Sequence, residues 1–176
     1  MKLAKRAHKK TDHTILKKLG ILSALTNDEI EVFHRIATRT EVRNGAVIMR
    51  EGDVGDSMFL FAEGEVTVTK NLTLRAGKKG FSQAEKSMVR LNAEFVSFFG
   101  DMAMFENDVR SATITAQSNC LIYEIKRDDF NRIGATNPAV CLKVILKIAS
   151  VLCHRVRQGN QDVLKLTTAL SIALSK

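Results

Sequence analysis

The sequence predicts a mainly β domain: an antiparallel roll of jelly-roll type, flanked by N-terminal helices and followed by a long C-terminal helix. Three observations carry this. From residue 44 to residue 126 the apolar residues recur with a period of two, in short runs punctuated by Gly45, Gly52, Gly55 and Gly64. Many short strands at such spacing build a sandwich or barrel. On either side of this stretch the period becomes helical. The chain has 176 residues, 45% hydrophobic and 26% charged, the balance of one ordinary soluble domain with a self-sufficient core.

Taken in order, residues 14–25 read as a short helix and turn. Thr26 and Glu29 form a capping box, each side chain placed to satisfy a free backbone N–H of the other. Ile30, Phe33, Ile36 and Ala37 then recur at helical spacing until Asn44-Gly45 breaks the chain. Strands are predicted over 46–50, 57–62, 65–69, 88–91, 111–116 and 120–126, with a further strand ending at Phe99. The stretch 74–87, with two glycines and several lysines, reads as a long polar hairpin loop. Asp128-Asp129 is expected to cap a short helix over Phe130 and Ile133. Asn137 is expected to cap the long helix, with Pro138 at its first position. Gly159-Asn160 predicts a bend or a division in that helix. The chain thus divides into a basic arm (1–13), the roll with its leading helices (14–136) and the C-terminal helix (137–176).

The C-terminal helix carries a heptad seam: Leu142, Ile145, Ala149, Leu152, Val156, Gly159, Val163, Leu166, Leu170 and Ala173. A sustained seam of this kind predicts a parallel homodimer. A second stripe, Val144, Ile148 and Val151, is expected to face the roll.

The formal net charge is +8. Residues 1–20 hold seven Lys and Arg against Asp12, and residues 75–90 hold five against Glu85, so the remainder of the chain is slightly acidic. The basic excess belongs to an arm and one internal segment, not to the core. No apolar stretch approaches the ~18 residues of a membrane span, and the basic N-terminus lacks the apolar run of a secretory signal. Cys120, Cys141 and Cys153 show no C-x-x-C spacing, which suggests reduced thiols in a cytoplasm. The four histidines stand apart from any candidate nucleophile, so neither a catalytic set nor a metal site is expected. The protein reads as a non-enzyme without a cofactor.

The chemistry lies between Phe98 and Ala116. A strand ends at Phe99, and Gly100 lets the backbone turn and approach a ligand closely. Asp101 to Phe105 can form one helical turn. Nine residues after Asp101 comes Arg110, whose planar fork fits two phosphate oxygens. Ser111 and Ala112 add N–H groups beside it. A carboxylate and an arginine in one β-roll suit a sugar phosphate. Lacking such a ligand, Arg110 would pair internally with Asp101. Glu106 and Asp108, in the intervening loop, would oppose an anion if they faced inward.

These residues resemble the cyclic nucleotide-binding domain family, which includes the catabolite activator protein, protein kinase A regulatory subunits and cyclic-nucleotide-gated channels. The resemblance runs from about Leu22 to Arg157. It rests on Gly45, Glu51-Gly52-Asp53, Gly55-Asp56, Phe59, Gly64-Glu65-Val66 and, above all, Phe99-Gly100-Asp101 followed by Arg110-Ser111-Ala112-Thr113. It implies a ligand, cAMP or cGMP, bound without chemistry. Arg110 would clamp the cyclic phosphate. Asp101, where the family usually has Glu, would hold the ribose 2′-OH. Gly100, Met102 and Ala103 would shape the turn, with Phe99 and Thr113 flanking the set, and Ser111 and Ala112 would donate to the phosphate. In the family a threonine in place of Ser111 goes with cGMP, and cAMP is the preference expected here.

The resemblance also implies that ligand shifts the short helix before Asn137 and brings the long helix over the base. The residues after Arg157 are too few for a helix-turn-helix, so no specific DNA binding is expected. The expected output is a separate protein effector. Two alternatives stand beside this reading: a ligand-independent interaction scaffold, and a binder of anionic surfaces through the basic arm.

Overall fold

Strands Ser57–Glu63 (β3) and Cys120–Lys126 (β8) are apolar at almost every position, which places them where both faces are covered. In the computed structural model, which describes residues 12–76, 80–106 and 108–175, they lie at the centre of a four-stranded sheet. Its order is β1-β8-β3-β6, where β1 is Thr38–Val42 and β6 is Phe98–Phe99. The second sheet runs β2-β7-β4-β5: β2 is Val47–Met49, β7 Thr113–Ala116, β4 Glu65–Ala76 and β5 Gly80–Asn92. All pairings within both sheets are antiparallel.

Alternation across the strands sorts the core in two. Phe59, Phe61, Cys120 and Ile122 point between the sheets, where they meet Val66, Phe99, Ile114 and Ala116. Met58, Leu60, Leu121, Tyr123 and Ile125 point the other way, into the helices. The helical layer comprises residues 12–18 (α1), a 3-10 turn at Gly20–Leu22, Asn27–Ile36 (α2), Arg127–Thr136 (α4) and the first turns of Pro138–Leu174 (α5), while Met102–Phe105 (α3) follows β6. Phe33 of α2 meets Phe130 of α4 with ring centroids 6.1 Å apart.

The capping box forms: the Glu29 N–H donates to Thr26 Oγ1 and the Thr26 N–H donates to Glu29 Oε2, at 3.3 and 2.8 Å. Lys143 of α5 donates to both oxygens of the same carboxylate, at 2.7 and 2.9 Å, and this bond above all lowers the pKa of Glu29.

Several elements depart from the sequence reading. Most of the stretch 74–87 is strand: β4 and β5 continue their ladder to Ala76 opposite Gly80, and residues 77–79 lie outside the described residues. Lys, Glu and Ala are depleted in strands, and the partner strand overrides them. β1 was not anticipated, because its residues are almost all exposed. Asp128 and Asp129 lie inside the first turn of α4, with Lys126 at the cap. Pro138 opens α5 as expected, but the Asn137 amide donates to Thr136 Oγ1 instead of capping. Gly159 does not divide α5, and the helix is continuous over 37 residues.

One residue of the expected arm is anchored. Asp12 is buried and accepts from the Tyr123 hydroxyl at 2.8 Å; Arg39 Nε forms an ion pair with it at 3.2 Å, and His34 Nε2 lies 3.8 Å away. The roll therefore holds Asp12, which the sequence assigns to the arm. The rest of the arm up to residue 11 lies outside the described residues.

Candidate functional site

β6 ends at Phe99, whose ring packs against Phe59 and Phe61 with centroids 5.5 Å away in each case. Gly100 follows with φ 74°, a left-handed conformation costly for any side chain with a Cβ. Steric fit gives a second reason for glycine: a Cβ would lie 2.9 Å from Arg110 Nη1 and 3.3 Å from a Phe59 ring carbon. The short helix α3 then turns the chain back, with Ala103 and Met104 buried.

Arg110 stands on the opposite wall with only 8% of its surface exposed. Its backbone is pinned to the turn between β2 and β3: its N–H donates to the Asp53 carbonyl at 2.7 Å, and its carbonyl accepts from Gly52 at 2.9 Å. Its guanidinium threads under Gly55, where a Cβ would come within 2.6 Å of Cζ. Nη1 donates to the Ser57 carbonyl at 2.6 Å and to the Gly100 carbonyl at 3.2 Å, and Nη2 donates to Ser57 Oγ at 3.1 Å. Among the described residues these bonds use three of its five N–H groups and leave Nε–H and one Nη2–H. Burial pushes its pKa down, opposed by the nearby carboxylates of Asp56 and Glu124.

Asp101 is 4% exposed. It does not pair with Arg110. Its partner is Arg155 of α5, whose Nη1 donates to Oδ1 at 3.0 Å and to Oδ2 at 3.3 Å. Nη2 of Arg155 donates to the Phe98 carbonyl at 3.3 Å, and its guanidinium carbon lies 5.1 Å from the centre of the Phe98 ring.

These walls enclose a cavity of about 260 Å³. The structure brings Phe99, Gly100, Asp101, Met102, Ala103, Arg110, Ser111 and Ala112 together on its lining. Thr113 is outside it, with its hydroxyl accepting from the Glu51 N–H at 3.0 Å because β7 begins there and turns that side chain toward the β2–β3 turn. Glu106 and Asp108 are exposed and absent from the lining, so they do not oppose an anion in it. Met104 packs in the core, but Met102 is half exposed at the rim.

Sequence reasoning missed Met49, Val68, Val109 and Ile114, an apolar wall, together with Arg155. It placed Leu152 on the dimer seam, whereas here Leu152 also lines the cavity. The i, i+3 spacing of Leu152 and Arg155 was the available signal, since residues so spaced share one helix face. Among the described residues no group of His, Cys, Asp and Glu side chains is placed to hold a metal. Cys120 and Cys141 are buried as small hydrophobes, whereas Cys153 is exposed.

A family model described as the cyclic nucleotide-binding domain matches residues 39–137. A cyclic nucleotide-gated potassium channel of Rhizobium etli is 33% identical over 111 residues, which is 63% of this chain and 26% of the channel. Human cGMP-dependent protein kinase 2 is 30% identical over 142 residues, 77% of this chain and 17% of the kinase. The chain thus spans about a quarter or less of the length of these relatives. In fold it is similar to a cyclic nucleotide-binding domain from Methylobacillus flagellatus, with a TM-score of 0.71, 22% identity and coverage of 90% of this chain and 83% of that one.

Proposed function

Since the chain belongs to the cyclic nucleotide-binding domain family, we propose that it is a regulatory protein that binds cAMP in preference to cGMP in the cavity between Gly100 and Arg110, and that passes this event to a separate protein effector through α5. The observation that carries the reading is Arg110: a nearly buried guanidinium with two N–H groups to spare, on the wall of a cavity opposite a backbone turn and a carboxylate. Such a fork suits two oxygens of a cyclic phosphate. The apolar wall of Met49, Val68, Val109 and Ile114 suits a base or ribose face. Asp101 is the acceptor for the ribose 2′-OH, and Ser111 and Ala112 donate to the phosphate. The role is regulatory, not catalytic.

The output runs through α5, because Leu152 and Arg155 line the same cavity. Ligand that binds one position of α5 better than another shifts its population, with α4 as the hinge. Past Arg155 the heptad seam is exposed, Val156, Val163, Leu166 and Leu170 each by 60% or more. A homodimer through this seam buries them.

A second reading, a scaffold that needs no ligand, has one observation in its favour: Ser57 and Gly100 satisfy one edge of the Arg110 fork, and Arg155 satisfies Asp101. Thermal unfolding separates the two. At a hundred times the dissociation constant a ligand adds about 2.7 kcal/mol, or roughly 5–10 °C in midpoint for a domain of this size. We expect that shift with cAMP and a smaller one with cGMP at equal concentration. An unmoved midpoint at millimolar levels of both favours the scaffold.

A further inference from the structure

The basic arm carries a charge that the nucleotide cavity does not use. Residues 1–11 hold Lys2, Lys5, Arg6, Lys9 and Lys10 and no acid, together with the apolar Met1, Leu3, Ala4 and Ala7. The arm ends where α1 begins, at the buried Asp12. α1 forms one wall of a second groove, of about 560 Å³, which shares no lining residue with the nucleotide cavity. Ile15 and Leu19, one helical turn apart, make its apolar floor together with Ala62 and Ala93.

The rim of this groove is acidic. Glu63 and Glu65 flank the turn at Gly64, and Glu94 lies in the turn after β5. Among the described residues Lys18 is the one cation on the lining, which therefore carries a net charge of −2 in a chain of net +8. Glu65 accepts from the Asn92 amide at 3.2 Å, whereas the exposed carboxylates of Glu63 and Glu94 have no partner among the described residues. Phe95, next to Glu94 in the chain, is 86% exposed and offers a ring face to a cation.

The arm matches this groove in charge and in apolar pattern, and attachment favours it over a separate cationic peptide. Exposed ion pairs are individually weak, so a short segment held by a few of them needs a tether. Ile15 and Lys18 lie only about 5 to 9 Å along α1 from Asp12, while eleven extended residues span up to roughly 36 Å. The tether lets the arm reach back along the groove, at an effective concentration in the millimolar range. We propose that the groove between α1 and the Glu63–Glu65 turn is the seat of the chain's own basic arm, with the cations of the arm on Glu63, Glu65 and Glu94 and its small apolar residues on the floor between them. Seated there, the arm withholds its charge from anionic surfaces, and salt releases it.

Zero-length carbodiimide cross-linking of the full chain, read by mass spectrometry, tests this, because it joins a lysine to a carboxylate only when the two are in contact. An equal mixture of isotope-labelled and unlabelled chain distinguishes links within one chain from links between copies. The expected result is links within one chain from Lys2, Lys5, Lys9 or Lys10 to Glu63, Glu65 or Glu94, more frequent than links to the exposed Glu106 and Asp108. Those links fall at least about threefold when salt rises from about 50 mM to about 500 mM. Hydrogen exchange gives a second reading that needs no cross-linking chemistry. In a full-length chain with Lys2, Lys5, Arg6, Lys9 and Lys10 all replaced by Gln, the turn amides from Ala93 to Val96 exchange faster than in wild type. Links found only between copies, links spread evenly over the exposed carboxylates, an absence of links from the arm, links that salt leaves unchanged, or exchange that the Gln chain leaves unchanged each overturn the proposal.

Discussion

The seat of Arg110 is set by residues that have no side chain to offer. Gly55 lies over the guanidinium so closely that Gly55→Ala would force it aside. This variant keeps the arginine and removes its position, and it is expected to weaken nucleotide binding at least about tenfold, as misplacement of a charged hydrogen-bonding group does. Titration of Gly55→Ala beside wild type checks this, and equal affinities would show that the seat is not required. Arg110→Ala should abolish most binding and also lower the unfolding midpoint, because the Ser57 carbonyl and hydroxyl lose their donor at a cost of about 1–3 kcal/mol. Arg110→Lys should restore little, since one ammonium cannot serve Ser57 and a phosphate as a planar fork does. Gly100, Asp101 and Arg110 were legible in the sequence because they lie within one short stretch. Ser57 and Arg155 were not, since they reach the site from 53 and 54 residues away from their partners.

Among the elements, α5 shows best what pattern alone conveys. The two apolar stripes were readable, and the stripe containing Val144 and Ile148 is buried against the roll. Leu142, Val163, Leu166 and Leu170 of the other stripe are exposed, so the proposed homodimer can be tested there. Leu152 serves the cavity as well, so a substitution there would confound two effects. Val163→Glu with Leu170→Glu avoids this, because both lie beyond Arg155. Light scattering should give twice the 19.5 kDa of one chain for wild type and a single chain for the double variant. A wild-type mass of one chain at tens of micromolar would remove the dimer. The β4–β5 hairpin was misread because its polar composition argues for a loop, while strand pairing, a non-local effect, decides the matter.

At the scale of the whole molecule, β6 joins the two cores: Phe98 belongs to the helical one and Phe99 to the inter-sheet one. The cavity opens at this junction, so events at Gly100 touch both. The class of fold was legible, because a period of two flanked by helical periods admits few alternatives. The anchoring of Asp12 was not, because a lone acid in a basic run gives no sign that Tyr123 awaits it. Burial, aided by the bond to Asp12, raises the pKa of Tyr123 above its usual value near 10. A raised acid favours the folded state fully below the unfolded pKa, and this contribution is lost as pH rises past it toward the folded value. Wild type should therefore lose stability more steeply above pH ~10 than Tyr123→Phe, as thermal unfolding across alkaline pH would reveal. A chain starting at Thr14 should unfold at a lower temperature than the full chain, since it lacks Asp12, and an equal midpoint would show that the Asp12 cluster is inert.

The central claim, that the cavity around Arg110 binds a cyclic nucleotide, meets its most direct test in calorimetric titration of the full chain with cAMP and with cGMP, alongside Arg110→Ala. The account predicts one site per chain in wild type, tighter for cAMP, and at least about a hundredfold weaker binding in the variant, in line with loss of a charged pair to phosphate. Heat of binding that is absent from wild type, or equal in the variant, would contradict it.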